Sequence, residues 1–255
     1  MPEHTDADAF VKPYVYETLN SKSLHFTIAE IQSRMQPQRP YALDLEYTRT
    51  MMAVLLFKPQ PESLAMIGLG GGSLAKFCHR HLPHTRIKVV EINPHVIALR
   101  DEFCVPPDDA RFTVRCGDGA DYVRAAPYPV DVLMVDGFDY EGQPPALCSQ
   151  RFYDDCHDTL KSDGILVVNL HAGHRHYDAF LSRIRRSFGE QVLVVGDRDK
   201  SNSIVFGFKG QMPAGVRAAT LQRKPEHFDA QTWDELRPAF GAVAAALQRQ
   251  RRADP

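Results

Sequence analysis

Apolar residues recur in short runs along the 255-residue chain, and the period of the runs changes. Between Tyr14 and Tyr41, pieces such as Ser23-Leu24-His25-Phe26-Thr27-Ile28 alternate polar and apolar side chains, the two-residue period of a half-buried strand. Prolines and glutamines at Gln36-Pro37-Gln38-Arg39-Pro40 interrupt them. This stretch predicts a small antiparallel β-region behind a loose leader, residues 1–12. From about Leu45 to Phe57 the spacing turns helical, with Met51, Val54 and Leu55 inward, until Pro59 and Pro61 end it.

Strand and helix patterns then alternate. Strands are predicted at Leu64–Gly68, Ile87–Ile92, Phe112–Cys116, Val130–Asp136 and Ile165–Leu170, with helices beginning near Ser73, Pro94, Gly119 and Ser149. Lys161-Ser162-Asp163-Gly164 reads as the turn into the fifth strand. A helix around Tyr177–Phe188 and strands at Val192–Val195 and Ser203–Phe208 follow. Seven strands ordered in this way predict an α/β fold with a Rossmann-like, doubly wound sheet that binds ligand at its carboxyl ends. The amphipathic stretch Ala230–Arg249 predicts a helix packed on the outside of the domain or against a partner subunit. The organisation expected is a β-region with linking helix over residues 1–58, a catalytic domain over 59–210 and a helical extension over 211–255.

Chemistry concentrates where predicted strands end. Met66-Ile67-Gly68-Leu69-Gly70-Gly71-Gly72-Ser73 passes from strand through a glycine turn to helix, and Val89-Val90-Glu91 closes the next strand on a carboxylate. Such a turn lets the backbone bend sharply beneath a nucleotide, and the acid can grip a ribose. Gly68, Gly70 and Gly72 alternate, unlike the GxGxxG spacing of dinucleotide enzymes, and this disfavours a nicotinamide oxidoreductase. Asp118 with Gly119, after the third strand, offers an acceptor for an adenine amino group, a helix cap, or both. Asp136 and Asp139 follow the fourth strand; two acids at a cleft mouth are costly unless they hold a cation or handle a proton.

Composition narrows the partners. Apolar residues are 44%, charged residues 24% and the formal net charge is −2, so no global basic field recruits nucleic acid or an anionic membrane. No apolar run approaches a membrane span and the first residues are polar, which together with five cysteines lacking a CxxC pair predicts a cytoplasmic protein with reduced thiols. His171, His174 and His176 lack a matching carboxylate or cysteine cluster, and no metal is expected. Cys148 has no visible helper and reads as a plain buried thiol.

Over roughly Leu64–Leu170 the chain resembles the spermidine synthase (polyamine aminopropyltransferase) family, a branch of the class I methyltransferase fold. The resemblance rests on the motifs above together with Ala146-Leu147-Cys148-Ser149-Gln150-Arg151-Phe152-Tyr153 and Leu160-Lys161-Ser162-Asp163-Gly164-Ile165-Leu166. It implies that the glycine turn and Glu91 hold the nucleoside of decarboxylated S-adenosylmethionine and that Asp118, beside Gly119, binds adenine. It further implies that Asp136 orients and deprotonates an attacking amine, that Asp139 and Tyr47 help hold this small-molecule acceptor, and that Gln32 reaches the co-substrate from the N-terminal side. Family members are commonly dimers or tetramers, so a homodimer is compatible with the resemblance.

Three positions depart from the family pattern. Gly71 stands where the family places an Asp inside the glycine turn, Tyr47-Thr48-Arg49 replaces Tyr-His-Glu, and Asp197-Arg198-Asp199-Lys200-Ser201 stands near the place of Pro-Thr-Tyr-Pro. Loss of the acid at Gly71 and gain of Arg49 would make room for, and attract, the carboxylate of intact S-adenosylmethionine. Aminopropyl transfer is therefore accompanied by two alternatives: a transferase that uses intact S-adenosylmethionine, such as a methyltransferase, and a non-catalytic nucleoside-binding scaffold.

Overall fold

The computed structural model describes residues 9–27, 31–126, 128–138, 142–196 and 201–253. Three short strands, β1 (Tyr14–Glu17), β2 (Lys22–His25) and β3 (Ser33–Met35), form an antiparallel sheet in the order β1-β2-β3. α1 (Glu46–Met52) follows and tightens into a 3-10 turn over Ala53–Leu56, so the predicted single helix is two pieces.

The alternating segments build a seven-stranded sheet, ordered β6 (Phe112–Cys116), β5 (Arg86–Glu91), β4 (Ser63–Ile67), β7 (Val130–Val135), β8 (Leu160–His171), β10 (Asn202–Phe208), β9 (Val192–Gly196). Neighbours from β6 to β8 are parallel, and β10 is antiparallel to both β8 and β9. The chain leaves β4 toward β5 and later returns on its other side as β7. That reversal opens a crevice at the carboxyl ends of these strands.

Both faces of the sheet are covered. On β4, Leu64 and Met66 join one core with α1, α2 (Ser73–His81) and α8 (Ala230–Ala253), while Ala65 and Ile67 join the other with α4 (Gly119–Arg124), α5 (Gln150–Thr159) and α6 (Tyr177–Phe188). A strand buried on two faces shows no polar alternation, and β4 from Leu64 and β7 from Val132 accordingly read as continuous apolar runs. Pro94 opens α3 (Pro94–Ala98) in its first turn, and a short α7 (Ala218–Gln222) precedes α8.

Two expectations are corrected here. Lys161–Gly164 is no separate turn: the strand already begins at Leu160, and the segment enters as an irregularity between the pairs Val130–Leu160 and Val132–Ile165. Of the leader, residues 1–8 lie outside the described residues, and its end is not loose, because the Val11 carbonyl accepts the Asn93 side chain at 2.9 Å. The last helix packs on the domain, with Trp233, Leu236, Phe240, Val243 and Leu247 of α8 buried in this chain's own core. Among the described residues, no helix is long and apolar enough to cross a membrane.

Candidate active site

A cavity of about 340 Å³ occupies the crevice. Gly68 to Gly70 form its floor, with Glu91, Asp118 and Asp136 around it; Phe10, Val11, Leu24, Phe26 and Gln32 cover it from the N-terminal side. Gly68 is obligatory. Its φ is +97°, and a Cβ there would lie 2.3 Å from the Asp136 carbonyl oxygen, closer than any rotamer change could relieve. Gly70 faces the cavity, whereas Gly72 sits just behind it as the left-handed cap of α2.

Glu91 is 8% exposed and accepts the Leu69 amide at 2.8 Å and the Asn93 amide at 2.9 Å, so it braces the glycine turn. Burial pushes its carboxyl above the usual range, and the surrounding amides partly oppose that rise. Asp118 caps α4 by accepting the Ala120 amide at 2.7 Å while also lining the cavity, so the cap and the cavity-facing position coexist. Gly119 lets that helix start directly against Ile67.

Asp136 follows β7. The Tyr47 hydroxyl of α1 donates to Oδ2 at 3.1 Å, and the Asn169 side-chain amide of β8 donates to Oδ1 at 2.9 Å. Withdrawal from solvent raises the Asp136 carboxyl, and these two donors pull it back. The same burial and the nearby carboxylate drive the Tyr47 phenol well above its ordinary value, which keeps it a neutral donor. Asn169 is absent from the residues singled out in the sequence. Its signal was a lone amide inside the apolar run Ile165-Leu166-Val167-Val168-Asn169-Leu170.

Arg49 does not enter this site. Its Nε donates to the Leu43 carbonyl at 2.7 Å and Nη2 to the Asp44 carbonyl at 3.1 Å, and it faces a separate depression with Arg39 and Arg80. The reason is helical geometry: Tyr47 and Arg49 are two residues apart on α1 and point to opposite sides. Nor does Gly71 open space. A Cβ there would come within 2.7 Å of the Ser33 hydroxyl and 2.8 Å of the Phe103 ring, so neighbours already fill the place of the family's Asp. Both arguments for capture of a methionine carboxylate therefore fail. Among the described residues lining the cavity, three are carboxylates and none is Lys, Arg or His.

Asp139 and residues 197–200 lie outside the described residues. The Cys148 thiol, buried and turned toward the Pro144 carbonyl at 3.3 Å, is pushed up by burial and is no thiolate. His174 stacks on Phe180 at 5.1 Å, and none of His171, His174 and His176 is among the described lining residues. Among the described residues, no group of three or more His, Cys, Asp or Glu converges as metal ligands would.

Residues 45–192 match the family described as spermine/spermidine synthase domain. A polyamine aminopropyltransferase from Neisseria meningitidis is 39% identical over 197 residues, 76% of this chain and 75% of the relative. One from Chromobacterium violaceum is 34% identical over 235 residues, 92% and 87% of the two chains. The fold is shared with the crystal structure of a probable spermidine synthase from Corynebacterium glutamicum, at TM-score 0.69 and 21% identity over 81% of this chain and 80% of that one. The matched segment runs from just before α1 to the start of β9 and contains Tyr47, the glycine turn, Glu91, Asp118, Asp136 and Asn169. The chain belongs to the spermine/spermidine synthase family of transferases.

Proposed function

We propose that the protein transfers the aminopropyl group of decarboxylated S-adenosylmethionine to an amine acceptor and releases methylthioadenosine. The observation that carries this reading is the Asp136 carboxylate, held by two donors at the edge of a cavity whose described lining is anionic and free of cationic side chains. Decarboxylated S-adenosylmethionine carries a sulfonium and an ammonium and no carboxylate, so that lining complements it. Intact S-adenosylmethionine would bring a carboxylate that finds no cation among those residues.

Glu91 serves the ribose and Asp118 the adenine in this reading, with Gly68, Gly70 and Gly119 keeping side chains out of the nucleoside's path and Gly72 making the turn into α2. Gln32 and Phe26 cover it. The acceptor lies near Tyr47, and the family resemblance gives Asp139 a share in holding it. In the reaction the acceptor nitrogen attacks the methylene carbon beside sulfur. The C–N bond forms as the C–S bond breaks, the sulfonium leaves as a neutral thioether, and the proton from nitrogen passes to Asp136. The leaving group needs no acid, so the protein's contribution is alignment and removal of that proton.

Incubation with putrescine and each co-substrate tests this reading by product. Methylthioadenosine supports alkyl transfer, S-adenosylhomocysteine would replace it with methyl transfer, and neither product would leave a binding scaffold. Exposed Tyr14, Tyr16 and Leu19 on the β-region support pairing of two copies through that edge. Light scattering checks it, and a monomer at all concentrations rejects it.

A further inference from the structure

Asn169 sits on β8 opposite Ile204 of β10 and is 3% exposed. Its Nδ2 donates to Asp136 Oδ1, and its main-chain carbonyl accepts Nε2 of Gln143, itself 8% exposed, at 3.1 Å. Among the described residues, neither Asn169 Oδ1 nor Gln143 Oε1 accepts a hydrogen bond. Exchanging the two ends of the Asn169 amide would set oxygen against carboxylate, so Asp136 dictates the orientation.

We propose that Asn169 is a positioning residue for the transfer reaction, fixing the Asp136 carboxylate for the incoming amine, with Gln143 holding the Asn169 backbone from the connection after β7. The proposal rests on the role given to Asp136 above. With Tyr47 on one oxygen and Asn169 on the other, each oxygen keeps a lone pair for the acceptor nitrogen, and rotation about the Cβ–Cγ bond is stopped. Tyr47 from α1 is the titratable group in contact with Asp136, while Glu91 and Asp118 share the cavity from the ends of β5 and β6. Removing the Asn169 donor also removes one of the two contacts that favour the ionised carboxylate.

The test is Asn169→Leu, similar in volume and free of polar atoms, with Asn169→Asp as a variant that keeps the shape. Loss of alignment lowers kcat by about ten- to a hundredfold, leaves the KM for the nucleoside co-substrate unchanged and moves the acidic limb of the pH profile to higher pH. The thermal midpoint of Asn169→Leu is lowered, because Asp136 Oδ1 loses its donor, so kcat is taken per folded protein. Asn169→Asp moves the acidic limb further, because two carboxylates then share one proton. Unchanged kcat and acidic limb in both variants, or a loss that merely tracks lost folded protein, overturns the proposal. Carboxyl 13C NMR needs no substrate: the Asp136 signal, assigned with Asp136→Asn, should titrate at higher pH in Asn169→Leu, and an unchanged titration rejects the proposal. Absence of methylthioadenosine from the wild type would sink the transfer reading separately.

Discussion

Replacing Gly71 by Asp would restore the residue that the family usually carries in its glycine turn, and here it should do harm. The new Cβ would lie 2.7 Å from the Ser33 hydroxyl and 2.8 and 3.1 Å from two Phe103 ring atoms. Ser33 is 6% exposed on β3 with its hydroxyl 3.4 Å from that of Ser73; Phe103 is 1% exposed in the core. Neither neighbour can move freely. Overpacking of this kind costs ~1–3 kcal/mol. A chain of this size loses ~2–4 °C of thermal midpoint per kcal/mol, so a fall of roughly 6 °C is expected. Calorimetry of Gly71→Asp, Ser33→Gly and the double variant measures it. The Ser33 change should recover part of the loss, with a coupling of at least ~0.5 kcal/mol. An unchanged midpoint in Gly71→Asp, with tighter binding of decarboxylated S-adenosylmethionine, would refute the claim that Ser33 and Phe103 close this position.

Asp136→Asn should lower kcat by ~10²–10⁴-fold, the range of a lost general base. It should also stabilise the fold near neutral pH. The Asp136 carboxyl titrates above its unfolded value of 3.8, so its contribution to stability is greatest below that value and is lost as pH rises through the folded one. Denaturant melts of both proteins should therefore agree at the acid end and diverge above it; parallel curves would contradict the burial argument. Arg49→Met should leave nucleoside affinity and kcat unchanged by calorimetry and steady-state kinetics, because the guanidinium faces the Leu43 and Asp44 carbonyls; weaker nucleoside binding would mean that it reaches the site. Asp118→Ala removes the α4 cap and should cost ~1 kcal/mol of stability, and it should weaken nucleoside binding as well; loss of stability alone would reduce Asp118 to a cap.

Much of the fold was legible because its signals are local. β6 and α6 fall on their predicted bounds, and the helices after Ser73, Pro94, Gly119 and Ser149 begin where cap and glycine chemistry requires. Glu91 and Asp118 could be placed since each closes a strand at a crevice that topology determines. Arg49 is legible too, because a two-residue spacing from Tyr47 puts it on the opposite helix face. What fills the space at Gly71 was not legible, since Ser33 and Phe103 arrive from distant parts of the chain. Asn169 and Gln143 become meaningful only once β7 and β8 lie side by side. The leader posed the same difficulty: nothing local in Phe10 and Val11 says that they cover the cavity.

Calorimetric titration of the protein with decarboxylated and with intact S-adenosylmethionine tests the central claim most directly. A carboxylate brought among Glu91, Asp118 and Asp136 without a cation should cost the intact form at least ~1.4 kcal/mol, a tenfold weaker Kd. Equal or tighter binding of intact S-adenosylmethionine would contradict the account.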